Sequence, residues 1–330
     1  MMDQLVQEFP EQLREALQIG QDASLNASED EIRNVFVTGM GGSAFGADLV
    51  AELVADELQV PYVVNKGYDI PAYIDQHTLA VVSSYSGNTE ETYNAYQQLL
   101  NTGAKVTVIA SGGKMKALAD EHGHDFIQLP AGKPSPRACL GYSFVQQLYI
   151  LHKHGLIADT TIEQVRASID FLEKEQEDIR EKAQRIASLL EGKIPCIYTT
   201  TRMASVAVRF RQQLNENSKV LAWHHIVPEM NHNELVGWRG DYNNVAVVFF
   251  RNKDDNPRNA TRIDINKEII GKYTNTLIDI WSKGSNLVER AMYFVHLGDF
   301  ITVELAALRD MDAVEVKAID YLKGELAKLG

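Results

Sequence analysis

Along the first twenty residues Leu5, Phe9, Leu13 and Leu17 recur at four-residue spacing, the pattern of an amphipathic helix. From Val35 the pattern changes. Short β-branched or apolar runs at VFVT (35–38), PYVV (61–64), LAVV (79–82), VTVI (106–109) and FIQL (126–129) predict strands buried on both faces. Stretches 44–57, 89–102 and 113–122 between them read as helices. A long charged helical stretch follows at 159–191 and ends before Gly192. The alternation then restarts with PCIYTT (195–200), a helix through about 216, KVLAW (219–223), VAVVFF (245–250), a helix near 259–272 and NTLIDIW (275–281). Two helical segments close the chain, about 286–308 and 312–329. Such alternation predicts an α/β fold of two doubly wound parallel-sheet domains. The expected organisation is a domain at 1–158 with its leading helix, a helical linker at 159–192 and a second domain at 193–330.

Composition narrows the function. Apolar residues are 45% and charged residues 23%, the balance of a soluble globular protein, and 45 acidic against 32 basic residues give a net charge of −13. Neither nucleic acid nor an anionic membrane favours such a surface as a main partner, although a local basic pocket for a small anion stays open. Cys139 and Cys196 stand far apart in apolar contexts, which predicts reduced, buried thiols. The opening MMDQLVQEFPEQL has no basic-then-apolar signal, and no apolar run approaches the ~20 residues of a membrane span. A cytoplasmic location is expected.

Two stretches carry candidate binding chemistry. In TGMGGSAFGADL (38–49), Gly39, Gly41 and Gly42 follow a strand and Ser43 opens a helix. Glycines admit close backbone approach, and helix N-terminal N–H groups favour an anion. Gly39-x-Gly41-x-x-Ala44 also loosely fits a dinucleotide fingerprint, but that motif needs an acid at the end of the next strand, where Asn65 and Lys66 stand. A tight βα turn without a ligand is the bland alternative. In SSYSGNTEET (83–92), Ser83, Ser84, Ser86, Asn88 and Thr89 crowd one glycine between a strand and a helix. Helix capping needs one such residue; five in seven positions favour an anion held by hydroxyls and backbone N–H groups.

These two loops resemble the phosphate-sugar loops of SIS (sugar isomerase) domains. The tandem arrangement and three further motifs resemble the bifunctional phosphoglucose/phosphomannose isomerase family. In KPSPRACLGY (133–142) an Arg in a Pro-bounded loop reads equally as a surface residue or as a fixed positive charge; the resemblance implies that Arg137 lies beside the reacting carbons. In RQQLNENSKVLAW (211–223), Glu216 sits at a predicted helix end, where the helix dipole disfavours a carboxylate. A solvated Glu is the ordinary reading; the resemblance implies the catalytic base. WHHIVPEMNHNELVGW (223–238) holds three of the nine histidines, yet lacks HExxH spacing, and adjacent His224 and His225 point apart on an extended segment. NHNE resembles the segment of the ring-opening histidine, which implies that role for His232, donated across a homodimer interface. A lysine of the last helix is the final implied element, matched by Lys323 and less well by Lys317.

The function this implies is aldose–ketose isomerisation of a hexose 6-phosphate. Glucose 6-phosphate and mannose 6-phosphate would interconvert with fructose 6-phosphate through a cis-enediol, with no metal and no cofactor. Gly42, Ser43, Ser84, Ser86 and Thr89 would hold the phosphate. A non-catalytic SIS-type sugar-phosphate regulator is the alternative. It would keep the serine loops but need no base, and would often carry a DNA-binding domain, for which the roughly 30 residues before Val35 are too few.

Overall fold

In a computed structural model, which describes residues 1–328, the chain divides into two compact units. The first unit comprises Gln7–Lys174 and Gly284–Glu289; the second comprises Met1–Val6, Glu175–Lys283 and the chain from Arg290 onward. The packing therefore draws the units differently from the expected 1–158, 159–192 and 193–330. The long helix 160–190 is no free linker. Its Ile162, Val165, Ile169 and Leu172 are buried before the division, as are Ile179, Ala183 and Leu190 after it. The leading segment is two helices, α1 (Met2–Gln7) and α2 (Phe9–Asp22), and α1 belongs almost wholly to the second unit.

The first unit is built on β1 (Asn34–Gly39), β2 (Tyr62–Asn65), β3 (Thr78–Ser83), β4 (Lys105–Ala110) and β5 (Asp125–Gln128). All pairings are parallel, in the order β2-β1-β3-β4-β5. The central β3 is buried at every position, as a strand covered on both faces should be, whereas edge strand β2 is partly exposed. Helices α3 (Gly41–Leu53), α4 (Glu90–Leu99), α5 (Gly113–His122) and α6 (Leu140–Lys153) connect and cover the sheet, and α7 (Thr160–Leu190) runs on from there. Residues Leu140–Leu151 of α6 are all buried, so this helix shows no apolar stripe and the sequence pattern did not single it out. It lies close to α2: a Cβ on Gly20 would fall 2.0 Å from the Tyr149 ring.

The second unit repeats the winding with β6 (Ile194–Thr200), β7 (Trp223–Val227), β8 (Val245–Arg251) and β9 (Thr276–Trp281), all parallel, in the order β7-β6-β8-β9. Its helices are α8 (Ala204–Glu216), α9 (Pro257–Ile270), α10 (Leu287–Leu308) and α11 (Lys317–Leu326). The expected strand at 219–223 is a correction. Lys219 adopts a left-handed backbone (φ 56°) and Leu221 is 84% exposed, so pairing begins at Trp223 and the strand reads WHHIV. Of the helix expected at 312–329, the described part begins only at Lys317 and runs to Leu326, and residue 329 lies outside the described residues. Helix α10 is long and apolar enough to cross a membrane by length and composition, contrary to the sequence reading. Its apolar side chains, among them Met292, Phe294, Leu297 and Phe300, are buried inside the protein. Both cysteines are free and buried, as expected.

Candidate active site

In a doubly wound sheet the connections from two adjacent strands leave in opposite directions, and a crevice opens between their carboxyl ends. In the first unit that point lies between β1 and β3, where Gly39 pairs with Ser83. The glycine is required there: a Cβ would stand 2.9 Å from the Ser83 carbonyl oxygen and 3.2 Å from Ser43 Cβ. Helix α3 therefore starts directly against the end of β3. Its first N–H groups, at Gly41 and Gly42, precede the hydrogen bonds from Ser43 and Ala44 back to the Met40 carbonyl. Ser43 is buried, and its hydroxyl has no partner among the described residues.

The hydroxyl loop crosses the other side of this crevice. Ser84 is buried, and its Oγ lies 2.8 Å from Thr89 Oγ1 and accepts from the Gly87 N–H at 3.2 Å. Thr89 occupies the N-cap position of α4 without a side-chain capping bond, so its hydroxyl is used on Ser84 instead. The loop is splinted from the next connection. Asn88 Oδ1 accepts from the Lys114 N–H, and the Met115 N–H donates to the Gly87 main-chain carbonyl, both at 3.0 Å. Ser86 is exposed at the tip, its Oγ accepting from the Asn88 N–H. Ser83 belongs to the framework: its Oγ pairs with Ser143 Oγ at 2.9 Å, and Gln147 and Tyr62 continue the chain.

Arg137 sits in a short 3-10 turn, Pro136–Ala138, and is buried. The turn packs on the start of α3, with the Arg137 Cα 3.9 Å from where a Gly42 side chain would begin. Gln12 of α2 fixes it, donating to the Ala138 carbonyl at 2.6 Å and accepting from the Gly141 N–H at 2.7 Å. The first unit thus places Gly42 and Ser43 at the start of α3, with Arg137 packed on that start, and Ser84 and Thr89 on the loop that leaves the adjacent β3. Gln12 escaped the sequence reading because its partners lie more than a hundred residues away. At the end of β2, Asn65 donates to the Gly67 carbonyl at 3.0 Å and Lys66 pairs with Asp48, so no acid stands where a ribose would need one.

The remaining candidates belong to the second unit. Glu216 is the last residue of α8 and is half-buried, while the following Asn217 and Ser218 are fully buried. His232 is exposed at the end of a 3-10 turn, Glu229–His232, which follows β7. That turn is fastened on both sides. Asn231 donates to Asn266 Oδ1 at 2.6 Å, and Glu234 Oε1 accepts from Trp223 Nε1 at 2.9 Å and from the Tyr198 hydroxyl. His224 and His225 both lie in β7, and burial pushes the His224 ring below the usual imidazole range. No three His, Cys, Asp or Glu side chains converge as a metal site among the described residues. Lys317 and Lys323 are both exposed on α11.

The second unit has its own crevice between β6 and β8, and it is filled from within. Asp255 accepts from the Thr200 hydroxyl at 2.7 Å and from the Asn252 N–H at 2.9 Å. A carboxylate of the chain occupies donors that an anion would otherwise use.

Two parallel sheets wound in this order, one with a hydroxyl-lined crevice, define a protein of the SIS class. The C-terminal domain of glucosamine-fructose-6-phosphate aminotransferase from Francisella tularensis shares the fold, with a TM-score of 0.76 at 15% identity over 94% of this chain and 97% of that one. The family described as bacterial phospho-glucose isomerase C-terminal SIS domain matches residues 179–326. A bifunctional phosphoglucose/phosphomannose isomerase of Caldicellulosiruptor bescii is 39% identical, covering 99% of both chains. Another, from Aquifex aeolicus, is 33% identical over 90% of this chain and 91% of its own. The chain belongs to the bifunctional phosphoglucose/phosphomannose isomerase family, and it is a sugar-phosphate isomerase.

Proposed function

We propose that the protein interconverts glucose 6-phosphate and mannose 6-phosphate with fructose 6-phosphate through a cis-enediol, without a metal or cofactor. The observation that carries this reading is the hydroxyl-lined crevice with the buried Arg137 turn packed on its edge. Ser43, Ser84, Ser86, Thr89 and the α3 N–H groups at Gly42 anchor the phosphate, and this remote binding energy positions the reacting carbons. His232, with Lys323 or Lys317, moves the proton between the anomeric hydroxyl and the ring oxygen, breaking the C1–O5 bond. Glu216 then takes the proton from C2 as the C1 carbonyl oxygen gains one, giving the enediol. Returning the Glu216 proton to C1 while the O2 proton leaves yields the ketose. Arg137 stabilises the negative charge that develops on the enediol oxygens. Glucose and mannose 6-phosphates differ only at C2, so both give the same enediol. His232 is exposed on a turn held rigid from both sides, which supports its donation to a partner subunit's site in a cytoplasmic homodimer.

The test is Glu216→Gln, assayed for fructose 6-phosphate formation from each aldose. Loss of roughly 10³-fold or more in kcat with both is expected for removal of the base. Near-normal rates with both would remove Glu216 from the role. EDTA should leave the wild-type rate unchanged; loss restored by zinc would overturn the metal-free scheme. Mixing His232→Ala with Glu216→Gln subunits should restore part of the activity if sites are shared, and none if each chain is self-sufficient.

A further inference from the structure

Lys219 has the backbone of a glycine and the contacts of a clasp. Its φ of 56° lies in the left-handed region, where a residue with a Cβ is strained and glycine or asparagine is the usual occupant after a helix. The turn itself needs only the backbone there: the Val220 N–H closes on the Leu214 carbonyl at 3.1 Å. The side chain is what distinguishes this position. Its ammonium donates to the main-chain carbonyl of Glu216 and, at 2.7 Å, to the carbonyl of Glu315, two residues before α11 begins. One cation thus caps the carbonyl at the end of α8 and ties it to the segment leading into the last helix.

The neighbouring residues are pinned from another side. Asn217 donates to Thr302 Oγ1 at 3.0 Å, the Ser218 hydroxyl donates to the Thr302 carbonyl at 2.7 Å, and Arg309 donates to the Ser218 carbonyl at 3.1 Å. Helix α10 therefore holds Asn217 and Ser218, and Lys219 adds a direct tie from the Glu216 carbonyl to the segment before α11, where Asp312 already accepts from the Val314 N–H at 2.8 Å. Strain kept where a glycine would relieve it points to a use for the side chain.

We propose that Lys219 is a positioning residue for the isomerase reaction: it fixes the Glu216 peptide and registers the start of α11, with its Lys317 and Lys323, against it. The proposal rests on the reading of Glu216 as the base. Misplacing a base by an ångström costs on the order of 100-fold in rate, so losing this clasp should slow the proton transfer and leave substrate binding nearly untouched.

Three variants separate the side chain from the backbone. Lys219→Gly relieves the left-handed strain and removes the ammonium; Lys219→Met keeps the length and removes the donor; Lys219→Arg keeps a cationic donor. Thermal midpoint, kcat, KM for fructose 6-phosphate and amide exchange over residues 312–326 are measured for each, beside Glu216→Gln. Lys219→Gly should melt no lower than the wild type, yet lose roughly 10- to 100-fold in kcat with KM changed by less than about three-fold. Exchange over 312–326 should speed up in Lys219→Gly and Lys219→Met, and Lys219→Arg should recover most of both properties. A Lys219→Gly enzyme with wild-type kcat overturns the proposal, as does a kcat that falls only in step with the melting temperature across the three variants. If Glu216→Gln is fully active while exchange over 312–326 still accelerates in Lys219→Gly, the base assignment fails and the positioning claim falls with it. If Glu216→Gln is inactive and Lys219→Gly is normal, the base stands and only the positioning claim is lost.

Discussion

Gly87→Ala should move the hydroxyl loop off its neighbour and weaken the hold on phosphate. Gly87 has φ 66°, and a Cβ there would stand 1.8 Å from the Gly112 carbonyl oxygen. Reaching even a tight contact of about 3 Å requires a separation of more than about 1 Å between the two loops. The left-handed backbone adds about 1 kcal/mol against a residue with a Cβ. The shift also strains the Gly87 N–H bond to Ser84 and the Met115 N–H bond to the Gly87 carbonyl, each worth about 1 kcal/mol. The folded state should lose about 2–4 kcal/mol in all. Displacing the Ser84–Thr89 pair removes at least one hydrogen bond to a dianion, about 2 kcal/mol, so kcat/KM should fall about 30-fold. A coupled assay of glucose 6-phosphate formation reads this, and the inhibition constant for inorganic phosphate should rise by a similar factor. Gly123→Ala is the control, since φ is 65° there with nothing near the new Cβ; it carries the backbone cost alone and should leave KM unchanged. A folded Gly87→Ala enzyme with wild-type kcat/KM and phosphate inhibition would refute the assignment of this loop.

Two further outcomes concern stability. Arg209 and Asp299 form a buried two-point ion pair in the second unit, with contacts of 3.1 and 2.5 Å, so Asp299→Asn leaves a guanidinium without its counter-charge and should cost about 3–5 kcal/mol. The double change Arg209→Met, Asp299→Leu should recover most of that in urea unfolding; a single variant within about 0.5 kcal/mol of wild type contradicts the reasoning. Burial, with a smaller push from Arg180, lowers the His296 ring from 6.5 to about 3. Between those values the unfolded chain binds a proton that the folded one refuses, so stability should fall as pH drops below 6.5, by on the order of 1 kcal/mol per pH unit. His296→Gln should flatten that limb of the urea midpoint against pH, and an unchanged slope would locate the effect elsewhere.

The parallel sheets were legible because β1, β3, β4, β6 and β8 each carry a short run of mostly apolar or β-branched residues, the pattern that strands covered on both faces require. Helix α6 was not, because burial on every side erases its period. KVLAW misled for a local reason: its apolar residues follow a left-handed lysine, and pairing is deferred to Trp223. The hydroxyl loop could be read from its density of short polar side chains. Arg137, Glu216 and His232 are single residues in ordinary surroundings, and only the family resemblance singled them out. Gln12 and Lys219 act through partners 126 and 96 residues away, a distance at which the sequence leaves no local mark.

The Asp255 carboxylate makes a repeated architecture unequal. Both sheets offer the same crevice, yet in one of them the chain supplies its own anion, seated on the Thr200 hydroxyl and the Asn252 N–H. A phosphate approaching there meets a like charge already holding those donors. On the proposed phosphate reading the repeat therefore does not double the capacity: the hydroxyl-lined crevice of the first unit is the seat, and its counterpart is part of the scaffold that carries Glu216 and His232.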